Sequence, residues 1–387
     1  MAELDAAIAK ATAAVEAANG NLLALSREIH GYPELKFEEF AAHTAVTELL
    51  SRRGFAVESP VAGLDTAFVA RFGGGSMSVG ICVEYDALPD VGHACGHNLI
   101  AASSMGAAIG LAAVAEELDL EVVVLGTPAE EGGGGKVTML EAGCFDGLHA
   151  AMMVHPWPQD RLTATCLAVD NLLVRYQGRA AHAAAAPEAG VNAADALVVA
   201  QVAIGLFRQQ LPHGDVVHGI VTQGGEAVNV IPESTAMNLM CRSVDVTRLE
   251  ELRAKVQRCL EAGGLATGCT LEVTELMPRY SHMEPDADLL AIYRRHAEAR
   301  GRRFADDDAG LPAPMLSTDM ANVSLAVPSI HPMIGIDASG AVNHQADFAA
   351  ACLGPSAESA ILDGAIALAA TAIEAAAPGP LRERLTA

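Results

Sequence analysis

Apolar positions along the chain follow two different spacings, and the spacing changes from segment to segment. Over Leu4–Asn19, Leu22–His30 and Glu38–Arg52 they recur every three or four residues, as on one face of a helix. Thr66–Phe72 and Ser78–Tyr85 are β-rich instead. Leu99–Glu117 then reads as helix, Glu121–Leu125 as a short buried strand, Lys136–Ala142 as helix and Ala150–Val154 as strand. Strand alternating with helix predicts a mostly parallel sheet covered on both faces.

The middle of the chain has another order. Ala168–Gln177 and Val216–Thr222 read as strands flanking a helix at Val191–Leu211, followed by strand Ser234–Arg242, helix Val246–Ala262 and strand Thr270–Leu276. Two strand-helix-strand units in succession predict a small ferredoxin-like sheet backed by two helices. The first pattern resumes with a helix at Ala287–Arg300, a strand at Ser329–Ile336 and a long helix at Ser356–Ala375. The expected organisation is therefore an α/β domain over 1–167 and 279–387 with an inserted α+β domain over 168–278. Pro378-Gly379-Pro380 predicts the start of a frayed tail.

Composition narrows the function classes. A chain of 387 residues with 51% hydrophobic residues has material for about two cores. A net charge of −24 repels nucleic acid and anionic membranes, so neither is expected as a partner. Met1–Asn19 lacks the basic start and apolar block of a signal peptide. No apolar run looks long and uninterrupted enough to span a bilayer, Ile100–Ala115 coming closest. Eight scattered cysteines in a chain this long do not form a disulfide framework, which makes a reduced, cytoplasmic location the expectation.

The candidate chemistry lies where three successive strands are predicted to end, the place where α/β sheets collect functional groups. The first strand end gives Glu84-Tyr85-Asp86 and then His93-Ala94-Cys95-Gly96-His97-Asn98, the second Glu130-Glu131-Gly132, the third His155-Pro156. Cys95 and His97 flank a glycine that lets thiolate and imidazole converge on a metal. The Glu130-Glu131 pair precedes a kinkable glycine run, so one carboxylate can bind metal while the other faces substrate. His155 supplies a further ligand. Gly132 to Lys136 superficially resembles a phosphate loop, but Glu130 stands at the first-glycine position and Val137 at the Ser/Thr position, so that pattern fails. Cys95 with His97 as nucleophile and base, a thiol hydrolase, is the alternative; it leaves the glutamates and later histidines without work.

Glu84-Tyr-Asp-Ala-Leu-Pro89, His93-Ala-Cys-Gly-His97-Asn98, Thr127-Pro-Ala-Glu-Glu-Gly132, Ser317-Thr-Asp-Met320 and Pro328-Ser-Ile-His-Pro332 together resemble the M20 metallopeptidase and aminoacylase family. The similar branch is its amidohydrolases, with p-aminobenzoyl-glutamate hydrolase subunits and β-alanyl-lysine-type dipeptidases. The resemblance runs from about His30 to the terminal helix. It implies a zinc-aminopeptidase-like catalytic domain, an inserted lid that dimerises, and two divalent ions, zinc first, with manganese or cobalt possible. Residue by residue, it implies Cys95 as the bridging thiolate, His97, Glu131, His155 and His344 as terminal ligands, and Glu130 as general base. It further implies His182 reaching a partner subunit's site and Asn229 and Arg242 binding substrate. An arginine on an otherwise apolar strand suits a carboxylate. The implied substrate is a small N-acyl amino acid, an aminobenzoyl-glutamate-like conjugate or a dipeptide. Two other readings are a partner-dependent subunit and a metal-binding protein without catalysis, the latter disfavoured by Glu130. Asn98 departs from the family's aspartate, which would tune His97 more strongly.

Overall fold

The structure, a computed structural model, describes residues 2–305 and 315–387. It separates into two compact units, one formed by 1–165 with 283–387 and the other by 166–282. The sequence reading set the inserted segment at 168–278.

The first unit is built on a six-stranded sheet. Its strands are β1 (Ala56–Glu58), β2 (Phe68–Gly73), β3 (Met77–Val83), β4 (Leu120–Gly126), β5 (Ala150–Met152) and β10 (Ser329–Ile330), in the order β1-β2-β4-β3-β5-β10. β4, β3, β5 and β10 run parallel, while β1 and β2 form an antiparallel edge. Because side chains alternate along a strand, Val79, Ile81 and Val83 of β3 enter one core and Cys82 the opposite one; Val122 and Val124 of β4 divide from Val123 and Leu125 in the same way. Helices α1 (Ala2–Gly31), α2 (Phe40–Arg52), α3 (His97–Ala112), α7 (Ala287–Ala299) and α10 (Pro355–Ala376) supply the larger core, and α4 (Gly135–Glu141) and α8 (Met320–Ala326) the smaller.

Four expectations are corrected here. The two predicted N-terminal helices are one, because Gly20 and Asn21 sit on the outer side while Ala18 and Leu22 keep the buried stripe in phase. The predicted strand Ser329–Ile336 breaks at His331-Pro332, since proline has no N–H for the ladder, and resumes at Met333–Gly335 beside His155–Trp157. The expected frayed tail is instead α11 (Pro380–Leu385), with Leu385 buried and Arg382 donating to the carbonyls of Ala376 and Leu118. Finally, among the described residues α10 rather than Ile100–Ala115 is the helix long and apolar enough to cross a bilayer; 78% of its apolar window is buried inside the fold, which accounts for its composition.

The second unit holds β6 (Ala168–Gln177), α5 (Ala193–Phe207), β7 (Val216–Gln223), β8 (Ser234–Ser243), α6 (Val246–Thr267) and β9 (Thr270–Glu275). The sheet order is β7-β8-β6-β9, antiparallel throughout, which is the ferredoxin-like arrangement. Alternate residues Leu172, Val174 and Tyr176 of β6 and Met237, Leu239 and Cys241 of β8 pack beneath Leu197, Ile204, Leu249, Val256 and Leu260 of the two helices. Both helices start at side-chain caps, Asn192 accepting from Ala194 N and Asp245 from Arg248 N.

Candidate metal centre

β4, β3 and β5 are neighbours and parallel, so their carboxyl ends emerge side by side. β3 leads to Glu84, Asp86 and the turn that starts α3 with Cys95 and His97; β4 leads to Glu130 and Glu131; β5 leads to His155. The fourth approach comes from far along the chain. His344 N donates to Ala94 O at 2.8 Å, which fixes the loop before α9 (Ala346–Ala351) against the Cys95 turn.

All five residues expected as metal ligands converge. The ligand atoms of Cys95, His97 and His155 lie within 4.8 Å of one another, and so do those of Cys95, Glu131 and His344. Cys95 is common to both trios. Arms of about 2.1 Å to nitrogen or oxygen and about 2.3 Å to sulfur, at tetrahedral angles, span about 3.4 Å between two light donors and about 3.6 Å between sulfur and nitrogen. The corresponding separations here are 3.4 Å for Glu131 Oε1 to His344 Nε2, 3.5 Å for Cys95 Sγ to His155 Nε2 and 3.7 Å for Cys95 Sγ to His344 Nε2. The donors thus fit divalent cations in both spacing and type. His97 Nε2 and Glu131 Oε1 are buried without a hydrogen-bond partner, as atoms reserved for a cation would be.

Second contacts set the imidazoles. His155 Nδ1 donates to Pro156 O at 2.8 Å and His97 Nδ1 to Asp86 Oδ1 at 2.8 Å, leaving both Nε2 atoms toward the centre. Burial pushes His155 down to about 4, in its neutral form. For His97 burial opposes charge, but Asp86 outweighs it and raises the ring well above its ordinary range; the extra positive charge belongs at Nε2, where a cation fits. Burial first, and then Glu131, push the Cys95 thiol well up. A thiol so placed is no nucleophile by itself, which weighs against the thiol-hydrolase alternative; a bound cation is what would draw it into the thiolate form.

The two glutamates differ. Glu130 is 7% exposed, and burial, then Glu84 and Glu131, raise its carboxyl well above the usual range. Burial acts the same way on Glu131, but the contacts with His344 and His97 outweigh it and hold it low. The turn carrying them is fixed from beneath. Ala129, in the left-handed region at φ 60°, donates its N–H to Glu39 Oε1, and Glu131 donates its own to Asp86 Oδ2, both at 2.9 Å. Burial, then Asp86, push Glu39 up to about 7.

Asp86 therefore serves both His97 and the Glu131 backbone, a role the sequence reading did not assign although the residue lay in the segment it singled out. Asn98 does not tune His97: its amide donates to Ser26 Oγ and Cys352 O, on the other side. Replacing Asp86 with Asn leaves one oxygen where two N–H groups need acceptors, and metal affinity is expected to fall about 10- to 100-fold. Titration of metal-free protein checks this; unchanged affinity would remove Asp86 from that role.

In the second unit, His182 pairs with Val230 on a two-residue ladder, and Ala183 N donates to Asn229 O, so His182 and Asn229 lie together. His182 is exposed, its Nδ1 accepting from Ala184 N and Ala185 N. Arg242 faces Val169 near the far end of β8, on the order of 25 Å of strand beyond that ladder.

Comparison with known proteins agrees with this geometry. The profile of Peptidase family M20/M25/M40 matches residues 81–373. The Xaa-Arg dipeptidase of Mus musculus is 39% identical over 96% of this chain and 90% of its own length. One of the p-aminobenzoyl-glutamate hydrolase polypeptides of Escherichia coli is 30% identical over 67% of this chain and 58% of its own. Among solved structures, a dinuclear metal-binding peptidase of the M20 family from Bacillus subtilis superposes with a TM-score of 0.69 at 21% identity, over 93% of this chain and 98% of that one, and shares its fold. With donors for divalent metal converging at the strand ends and the family profile spanning most of its length, the chain belongs to peptidase family M20/M25/M40, as a metal-dependent hydrolase of C–N bonds.

Proposed function

We propose that this enzyme cleaves the amide of a dipeptide or N-acyl amino acid carrying a free carboxylate, using two divalent ions. Cys95, His97 and His155 would hold one, Cys95, Glu131 and His344 the other, with the thiolate shared. The observation that carries the reading is this convergence at ligand spacing, with Glu130 next to it in the chain and not needed in either trio. Thiolate and imidazole donors favour zinc, and the carboxylate leaves manganese or cobalt as alternatives. The Xaa-Arg dipeptidase relative supports a dipeptide, and the aminobenzoyl-glutamate relative an amide next to a carboxylate.

Bound divalent metal supplies Lewis acidity toward the amide carbonyl and lowers the pKa of water. Glu130, whose burial raises its affinity for a proton, accepts as the carboxylate the proton of the attacking water and returns it to the leaving nitrogen. Asp86 and Glu39 hold the Glu130-Glu131 turn still during both transfers. His182 and Asn229 donate toward the carbonyl side of the substrate, and the Arg242 guanidinium pairs with its carboxylate.

The separation along β8 has a consequence for assembly. One small substrate cannot touch both ends of the strand, so His182 with Asn229 and Arg242 must reach a given substrate from different copies of the chain. A homodimer formed through the second unit meets that need. Val198, Val202 and Leu206 form an exposed apolar stripe on α5, and β7 is an edge strand with Ile220 exposed, both suited to a second copy. All eight cysteines are unpaired, which supports a reducing, cytoplasmic setting.

The test is amino-acid release from a panel of dipeptides, acyl amino acids and aminobenzoyl-glutamate, before and after chelation and metal add-back. Release that disappears with chelator and returns with zinc, manganese or cobalt is expected. Release that survives complete metal removal would return Cys95 to the role of nucleophile. Silence with metal bound would assign the chain to a partner-dependent assembly.

A further inference from the structure

The centre is not equally open on all sides. Cys95, His97 and His155 are buried, while the His344 side chain beside Glu131 is 58% exposed. A substrate therefore reaches the centre across its Glu131–His344 edge, and the side chains flanking that edge meet it first. Two of them are apolar and open. Phe37, 38% exposed, lies against the turn that carries Glu131, and Val342, 48% exposed, stands two residues before His344.

Single exposed apolar side chains are ordinary on a protein surface, but Phe37 is held there against its own preference. Its backbone sits in the left-handed region at φ 64°, where a bulky residue is strained and glycine is the usual choice. Phe37 donates its N–H to Glu39 Oε1 at 2.9 Å, the same oxygen that accepts from Ala129 N at 2.9 Å. Glu39 Oε2 in turn accepts from Thr66 Oγ1 at 2.8 Å. The ring rests on Gly133, where an added Cβ would stand 2.7 Å from Phe37 Cε2. Lys36 Nζ closes the same turn by donating to Gly132 O at 3.2 Å. One buried carboxylate thus fixes both the aromatic ring and the turn of Glu130 and Glu131. On the other flank, Val342 donates its N–H to Gln345 Oε1 at 3.1 Å, and the bond from His344 N to Ala94 O holds the rest of that loop.

Covering Gly133 uses one face of the Phe37 ring and leaves the other in solvent, on a strained backbone. A bound apolar group gives that second face a partner. A phenyl ring and an isopropyl group offer nothing to a carboxylate, so the group they receive belongs to the other side of the scissile amide. We propose that Phe37 and Val342 are specificity-determining residues that receive the acyl side of the substrate and favour a large apolar group there. The proposal rests on the hydrolase reading above and deepens it by naming the acyl class.

The experiment measures kcat and KM of the metal-loaded full chain on glycyl, alanyl, leucyl and phenylalanyl dipeptides, and on acetyl and benzoyl amides. All carry one C-terminal amino acid, the one the parent releases best. The parent is expected to favour phenylalanyl over glycyl by about tenfold or more in kcat/KM. Phe37→Gly accepts the same backbone conformation without the ring, and is expected to bring that ratio close to one, mainly through KM. Phe37→Tyr keeps the ring and should keep the ratio. Val342→Ser lowers the ratio from the other flank, and reads the proposal should Phe37→Gly fold poorly. A parental ratio in folded Phe37→Gly or Val342→Ser would overturn the proposal. So would a proportionate loss on every substrate, which would make Phe37 a support of the Glu130 turn, and so would a parent that prefers glycyl and acetyl groups. No release from any member by the metal-loaded parent would defeat the hydrolase reading itself, and this proposal with it.

Discussion

Glu130→Gln is expected to leave the fold and both metal-binding steps intact and to lower kcat by about two to four orders of magnitude. Glutamine keeps the volume and the hydrogen-bonding oxygen of Glu130 but cannot accept the proton of an attacking water. It also removes a buried carboxyl that burial, Glu84 and Glu131 already hold toward the protonated form, so stability has no reason to fall. Glu130 lies outside the two groups built on Cys95, and in the third buried group, with Glu84 and His97, a glutamine oxygen takes its place, so metal uptake is expected to persist. Turnover of the best panel substrate, read together with metal content, checks the expectation. Near-parental turnover at full metal content would take the base role away from Glu130.

Gly135→Ala should be nearly as damaging, through geometry alone. A Cβ at this position would stand 1.9 Å from Pro128 O, and the obstacle is backbone rather than a side chain that could swing aside. The strain falls on the Pro128–Glu131 turn, which Glu39 and Asp86 pin from beneath, so Glu130 and Glu131 must move. A misplacement of about 1 Å at reacting groups costs about a hundredfold in rate, and overpacking of this kind costs about 3 kcal/mol of stability. Gly205→Ala is the control: nothing lies within 4 Å of its added Cβ, it sits inside α5, and it is expected to be neutral or slightly stabilising. A Gly135 variant with parental turnover and melting temperature would show that the glycine run supplies flexibility, not close approach. The run is also no phosphate loop, because its lysine, Lys136, is buried between Glu84 and Asp319.

Much of this protein was legible in the sequence because local physics decides it. The period-2 run Ala168–Gln177 has the bounds of β6, since alternation with one buried face leaves little freedom of register. The ligand-type residues were recognisable from their places at strand ends, and the spacing of Cys95 and His97 needs nothing beyond one glycine to bring both donors to a point. What failed were features whose outcome depends on distant partners. The C-terminal residues form α11 only because Arg382 finds carbonyls 264 and 6 residues away, and no local pattern announces them. Asn98 and Asp86 exchanged their expected importance because side-chain direction is set by what packs on α3, where Ser26 and Cys352 claim Asn98.

The sequence by itself determined the two alternating patterns, the inserted βαββαβ unit and which residue types could hold metal, because periodicity and donor chemistry are carried by neighbours in the chain. Only the tertiary structure decided that His344, 249 residues from Cys95, stands 3.7 Å from its sulfur. It also decided that Asp86 holds His97 in place, and that Arg242 lies a strand's length from His182. Each depends on a contact between segments far apart in the chain, and such contacts exist only once the sheet has set its strand order and the helices have closed over it.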